Sequence, residues 1–76
     1  MNRTTRKQIA DIQAQLMELQ TALQDIAEAE QDKYDNMPEG LQQTPNGERM
    51  EEIADMLTEA ADNLQDVIDT LDEAAQ

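Results

Sequence analysis

Two long stretches of this chain repeat an apolar residue every third and fourth position without interruption, and that spacing admits little except paired helices. In the first stretch the positions are Ile9, Ile12, Leu16, Leu19, Leu23 and Ile26. In the second they are Met50, Ile53, Leu57, Ala60, Leu64, Val67, Leu71 and Ala74. Alternating steps of three and four hold a row of side chains along one side of an α-helix, at heptad positions a and d. Position a falls on residues 9, 16 and 23 in the first run and on 50, 57, 64 and 71 in the second. Strand-type alternation is absent throughout. Both Gly and both Pro lie within residues 38–47, so the breakers gather between two clean runs, as in a helical hairpin. The expected fold is all-α: a single antiparallel, coiled-coil-like two-helix hairpin with a helix over about 3–37, a loop over about 38–46 and a helix over about 47–75.

The ends carry their own signals. Pro38 biases Met37 away from helical backbone and closes the first run. Thr44 before Pro45 reads as an N-cap with proline at the first helical position, Asn46 being the other candidate. Glu48, Glu51 and Glu52 then sit near the positive end of the second helix dipole. Leu41, apolar in a polar loop, is expected to fold back over the end of the seam. Glu30 at a and Lys33 at d interrupt the apolar row. They predict either a thinned or shifted seam near the tip or an ion pair across the helices.

The charges fall on the same wheel in an orderly way. Eighteen acids against five bases give a net charge of −13. Among the helical acids only Glu30 lies outside b, c and f. The e and g positions are small, amide or apolar instead of the Glu and Lys with which a two-stranded coiled coil selects its partner. A neutral face that wide can pack against more than one helix. The expectation is therefore a homodimer, two hairpins docked as a four-helix bundle, with Ile9, Ile12, Leu16, Leu19, Leu23, Ile26, Ile53, Leu57, Leu64, Ile68 and Leu71 at the interface. The basic cluster Arg3, Arg6 and Lys7 is expected to pair with Asp69, Asp72 and Glu73 of the antiparallel helix.

Enzyme chemistry finds little to work with. The chain has no Cys, His or Ser, which removes the usual nucleophiles, general base and nitrogen ligands together. Asp32 to Glu39 does not fit a calcium loop. Carboxylates on solvent-facing positions have no pocket to separate their pKa values for acid–base work. No catalytic residue, metal site or cofactor is expected. A chain of this charge is repelled by duplex nucleic acid and by anionic membranes, and its expected partner is a basic protein surface. The feature that stands out is a ladder on the second helix: Glu48, Glu52, Asp55, Glu59, Asp62, Asp66, Asp69 and Glu73 step by four and three along one outward ridge. Like charges at i, i+4 cost a few tenths of a kcal/mol each, and a helix shaped only for solubility would mix signs. The tip, Tyr34, Asp35, Asn36 and Met37, is the second candidate contact, because Tyr and Met suit irregular interfaces. Met17, at an outward b position, is left unexplained by the seam.

The stretch Tyr34-Asp-Asn-Met-Pro-Glu-Gly-Leu-Gln42, followed by Gly47-Glu-Arg-Met-Glu-Glu52 and an acidic helix, resembles a group of small, acidic, uncharacterised proteins of bacteriophages and prophages. The likeness covers the second half well and the first helix by pattern. It transfers no activity and no functional residue. It implies a setting in the cytoplasm of an infected bacterium, and by analogy an inhibitor of host nucleic-acid-binding machinery, of anti-restriction or anti-CRISPR type. The competing expectation is a structural or assembly module acting through its neutral flanks. A third, an anion held by Arg3, Arg6, Lys7 and Arg49 in an oligomer, is opposed by the net charge.

Overall fold

Asn2 and Thr44 open the two long helices. The Asn2 side chain accepts from the Thr5 N–H at 2.8 Å, and Thr44 Oγ1 accepts from the Gly47 N–H at 3.3 Å with Pro45 at the first helical position. Each cap supplies an acceptor to an otherwise unpaired donor of the first turn. The computed structural model describes residues 1–76: α1 spans Arg3–Asp35, a single turn α2 spans Glu39–Gln42, and α3 spans Pro45–Ala75. α1 and α3 pack side by side as a hairpin, an all-helical rod of 58 × 14 × 13 Å. α1 ends at Asp35, two residues short of the expected Met37, and α3 begins two residues before Gly47.

The helices meet along a different stripe from the one the apolar spacing suggests. On α1 the shielded residues are Thr5, Ile9, Gln13, Leu16, Gln20, Leu23, Ala27, Glu30, Gln31 and Tyr34. On α3 they include Gly47, Met50, Ala54, Leu57, Ala61, Leu64, Ile68, Leu71 and Ala75. These are mainly positions a and e, with Thr5, Ile53 and Ala60 at d and Gln31 at b only half-buried at the edges. Ile12, Leu19 and Ile26, all at d, remain 50, 57 and 52% exposed, and Val67 47%. At 3.6 residues per turn, the contact has turned by about 50° around each helix. The cause is side-chain size. Position e carries Ala27, Ala54 and Ala61, exposed by 5, 2 and 0%, and these let the backbones approach where the Ile and Leu of d would hold them apart.

Two glutamines fix the register. Gln13 Nε2 donates to the Ile68 carbonyl and Gln20 Nε2 to the Ala61 carbonyl, both at 3.1 Å, and Gln20 Nε2 also reaches Gln65 Oε1 at 3.0 Å. A helical carbonyl keeps a second lone pair after its own i+4 bond, so these bonds cost the helix nothing. Seven residues along α1 match seven residues back along α3. Ala27 therefore falls opposite Ala54, and Tyr34 opposite Gly47.

The connection is tight. Leu41 and Gln42 donate back to the Pro38 carbonyl at 2.8 and 3.1 Å, and Gln42 Nε2 donates to the Tyr34 carbonyl at 2.8 Å. A Cβ on Gly47 would lie 2.5 Å from the Leu41 carbonyl oxygen and 2.7 Å from Gln42 Cα. Backbone cannot yield there, so the α2 turn fits only over glycine. Leu41 does not fold back over the seam. It stays 50% exposed, because the turn uses its carbonyl, which accepts from Thr44 N–H at 3.1 Å, and leaves the side chain outside.

The charge pairing also differs from expectation. Each of the three ion pairs stays within its own helix: Lys7–Asp11 at 3.6 Å and Lys33–Glu30 at 3.0 Å on α1, and Arg49–Glu52 at 3.3 Å on α3. Arg3, Arg6 and Lys7 make none with Asp69, Asp72 or Glu73: Lys7 takes the acid one turn along its own helix, and Arg3 and Arg6 make no ion pair. Glu30 and Lys33 pair with each other instead of bridging the helices, and the a/e contact runs on through Tyr34 without a shift.

Gly47→Ala should destabilise the hairpin by about 1–3 kcal/mol through overpacking. Gly40→Ala, with open space around its added methyl, should leave stability unchanged or raise it by up to about 1 kcal/mol. Thermal melts followed by circular dichroism of both variants check the contrast.

Candidate functional site

With no enclosed core, function has to sit on surfaces. Only five of 76 residues are buried, and none is a fully buried large side chain. Three surfaces divide the rod according to heptad position, and each follows from where the a/e contact has turned the helices.

The first is the acidic back. Position c lies almost diametrically opposite the a/e contact and f lies beside it. Glu48, Glu52, Asp55, Glu59, Asp62, Asp66, Asp69 and Glu73 are accordingly all exposed. Only two of the eight meet a partner side chain: Glu52 pairs with Arg49, and Asp69 Oδ1 accepts from Gln65 Nε2 at 2.9 Å. From Glu48 to Glu73 the ridge runs about 37 Å at 1.5 Å per residue, with a charge about every 5 Å. Glu48, Glu51, Glu52, Asp55 and Glu59 rim a shallow hollow floored by Met56. α1 bears a sparser acidic back of its own, Asp11, Glu18, Asp25, Glu28, Asp32 and Asp35, also exposed. No three or more of the carboxylates converge in a metal-binding arrangement.

The second is the hairpin tip. Tyr34 and Met37 are half-buried, while Asp35 and Asn36 are exposed. Asp35 Oδ1 accepts from Gln31 Nε2 at 2.9 Å, and the Met37 N–H donates to the Tyr34 carbonyl at 3.1 Å. The Glu51 carboxylate, within reach of the Tyr34 hydroxyl, holds the phenol above its usual pKa of 10.0. Partial desolvation and the charges of Glu51, Asp35 and Glu48 push the same way. The phenol at the C-terminal end of α1 thus feels the acids of the first turns of α3.

The third surface is the one the apolar spacing placed in the seam. In an antiparallel pair that meets through a and e, the d positions of both helices lie on the same side of the rod. The glutamine register brings Ile12 beside Val67, Leu19 beside Ala60 and Ile26 beside Ile53. Of the residues expected at an oligomer interface, Ile9, Leu16, Leu23, Leu57, Leu64 and Leu71 are half-buried in the hairpin's own seam, and Ile68 is buried there. Ala61 and Ile68, at the neutral e positions expected to pack against further helices, belong to that internal contact. Ile12, Leu19 and Ile26 are exposed, and Ile53 is half-buried at the edge of the same stripe. The opposite side of the rod, at b, carries Gln24, Gln31, Thr58 and Gln65, with Met17 as its one exposed large apolar residue.

Sequence reasoning missed the roles of Gln13, Gln20 and Gly47. The signal for the glutamines was present: two amides seven apart at e, each facing a partner position of smaller or apolar type. No helix is long and apolar enough to cross a membrane. No family model, curated protein or solved structure matches the chain.

A group whose pKa is raised on folding adds stability that is complete below the unfolded value and disappears as pH climbs through the folded one. The Tyr34 contribution should therefore be intact below pH 10.0 and be lost above it. Tyr34→Phe should melt with a flatter pH dependence in that alkaline range, and Glu51→Gln should return the phenol towards its ordinary titration. Ultraviolet titration of the phenolate reads this directly, since Tyr34 is the one aromatic residue in the chain.

Proposed function

We propose that the chain is a non-enzymatic binding protein whose acidic helix face covers a basic, nucleic-acid-binding surface on another protein and thereby inhibits it. The observation that carries this reading is the ridge from Glu48 to Glu73. Eight exposed carboxylates repeat without an intervening base on that line, although each like-charged i, i+4 pair costs helix stability. One strand of DNA presents a phosphate about every 3.4 Å. A charge about every 5 Å on a rigid helix is a sparser rod of the same sign, which a basic cleft shaped for a phosphate backbone would accept. The resemblance to small phage and prophage proteins adds the setting: the cytoplasm of an infected bacterium and a host defence protein of restriction or CRISPR type as target. That addition is analogy. Direct binding to nucleic acid or to an anionic membrane is disfavoured by the charge of −13.

A second reading, an assembly or oligomerisation module, is favoured by the exposed apolar d stripe. It differs from the first in its salt response. A ridge-driven contact weakens steeply with ionic strength and is displaced by nucleic acid, whereas an apolar contact persists in salt.

The immobilised protein should retain basic proteins from a bacterial lysate at low salt, release them at high salt, and release them when duplex DNA is added. Reversing Asp55, Glu59, Asp62 and Asp66 to Lys should abolish that DNA-displaceable retention while leaving the far-ultraviolet dichroism helical. Retention unchanged by the reversal would remove the ridge from the function.

A further inference from the structure

The d side of the rod combines three properties that bear on what covers it. It is apolar: Ile12, Leu19, Ile26 and Val67 are each about half exposed along it. It is free of acid: although the chain has 18 Asp and Glu, none occupies a d or g position of either helix. It is also centred. α1 runs from residue 3 to 35 and α3 from 45 to 75, so the Leu19–Ala60 rung stands at the midpoint of both helices, with the Ile12–Val67 and Ile26–Ile53 rungs placed evenly to either side.

We infer that a second copy of the chain closes this side, the two rods packing face to face and end for end about a two-fold axis through the Leu19–Ala60 level. A stripe centred on the rod superposes on itself when the rod is reversed, which is the self-complementarity an isologous interface requires. The surface area agrees. A compact monomer of 8.6 kDa exposes about 4,700 Å². The hairpin exposes 5614 Å², an excess of about 900 Å², close to the ~800 Å² that each partner of a standard interface contributes.

Charge selects the partner. Two chains of −13 can approach only where neither presents acid, and the c and f carboxylates of both copies then face away from the contact. The only charged side chains at d or g are basic: Lys33 and Arg49, both near the tip. Each is engaged on its own helix, Lys33 with Glu30 and Arg49 with Glu52, so neither brings a free charge to the contact. The assembly is a four-helix bundle with antiparallel neighbours. This deepens the self-association reading above and stands or falls independently of any target of the acidic ridge.

The chain has no cysteine, so single cysteines report on one place each. The wild-type protein at tens of micromolar should sediment at twice 8.6 kDa, in high salt as well as low. Leu19→Cys should cross-link to itself with a short bifunctional maleimide, whereas Met17→Cys, equally exposed on the opposite side of the rod, should not. Leu19→Lys should shift the protein to monomer while Met17→Lys leaves it dimeric. A wild-type monomer at that concentration would overturn the inference. So would cross-linking at position 17 without cross-linking at 19, or a Leu19→Lys variant that remains dimeric. Should Leu19→Lys fail to fold, the cysteine pair still decides.

Discussion

The close approach of α1 and α3 depends on residues chosen for what they leave out. Gly47, Ala54 and Ala61 recur at intervals of seven on one face of α3, with Ala27 opposite Ala54. Where α1 presents something larger, α3 presents one of the small ones: Tyr34 meets Gly47, and Gln20 meets Ala61. Each small residue gives up apolar burial of its own. In exchange the leucines at a come within reach of one another, and the two glutamines can find carbonyls on the other helix. That narrow contact fixes which way both helices face. The orientation of every other side chain on the rod follows from it, including the exposure of d and the outward direction of c and f.

The same constraint explains what could be read from the sequence. The existence, extent and antiparallel pairing of the two helices were legible because periodicity, clustered breakers and the Thr44–Pro45 start all agree. The rotation about each axis was not. Apolar spacing marks the middle of everything a helix hides or leaves available for hiding. When one helix offers two faces, that middle falls between them. On this chain the a/d row is the bisector of an internal contact on a/e and an uncovered stripe on d. Leu41 misled for a related reason. Its apolar side chain suggested burial, yet the turn is held by its backbone carbonyl and by the missing Cβ of Gly47. Placing the acids outward was safe, because c and f are so far from the seam that a turn of about 50° leaves them in solvent.

The acids repel one another most along single helices. The c carboxylates of the two helices stand on opposite outer edges of the rod, whereas acids of both helices meet on the b and f side, where Glu28, Asp32 and Asp62 line a common shallow hollow. Successive acids on one ridge, about 5 Å apart, lie inside a Debye length of about 8 Å at physiological ionic strength. Part of the charge of −13 therefore acts against helicity in α3. Thr44, Pro45 and the first-turn Glu48 counter it by starting that helix firmly.

Separation of the faces has a consequence for how such a protein can change. Acids occupy b, c and f almost without exception, the internal contact occupies a and e, and the uncovered apolar groups occupy d. Substitutions on the ridge and on the stripe stand on different sides of the helix with no shared partner, the condition under which free energies of mutation add. A ridge could be re-patterned for a new basic surface without loosening the hairpin, and the stripe could be tuned without altering the charge presented to solvent. The exceptions are informative. Met56 at g floors the acidic hollow, and Met17 at b breaks an otherwise polar side. Both are flexible thioethers set at boundaries between faces, where an adaptable apolar group can serve either neighbour.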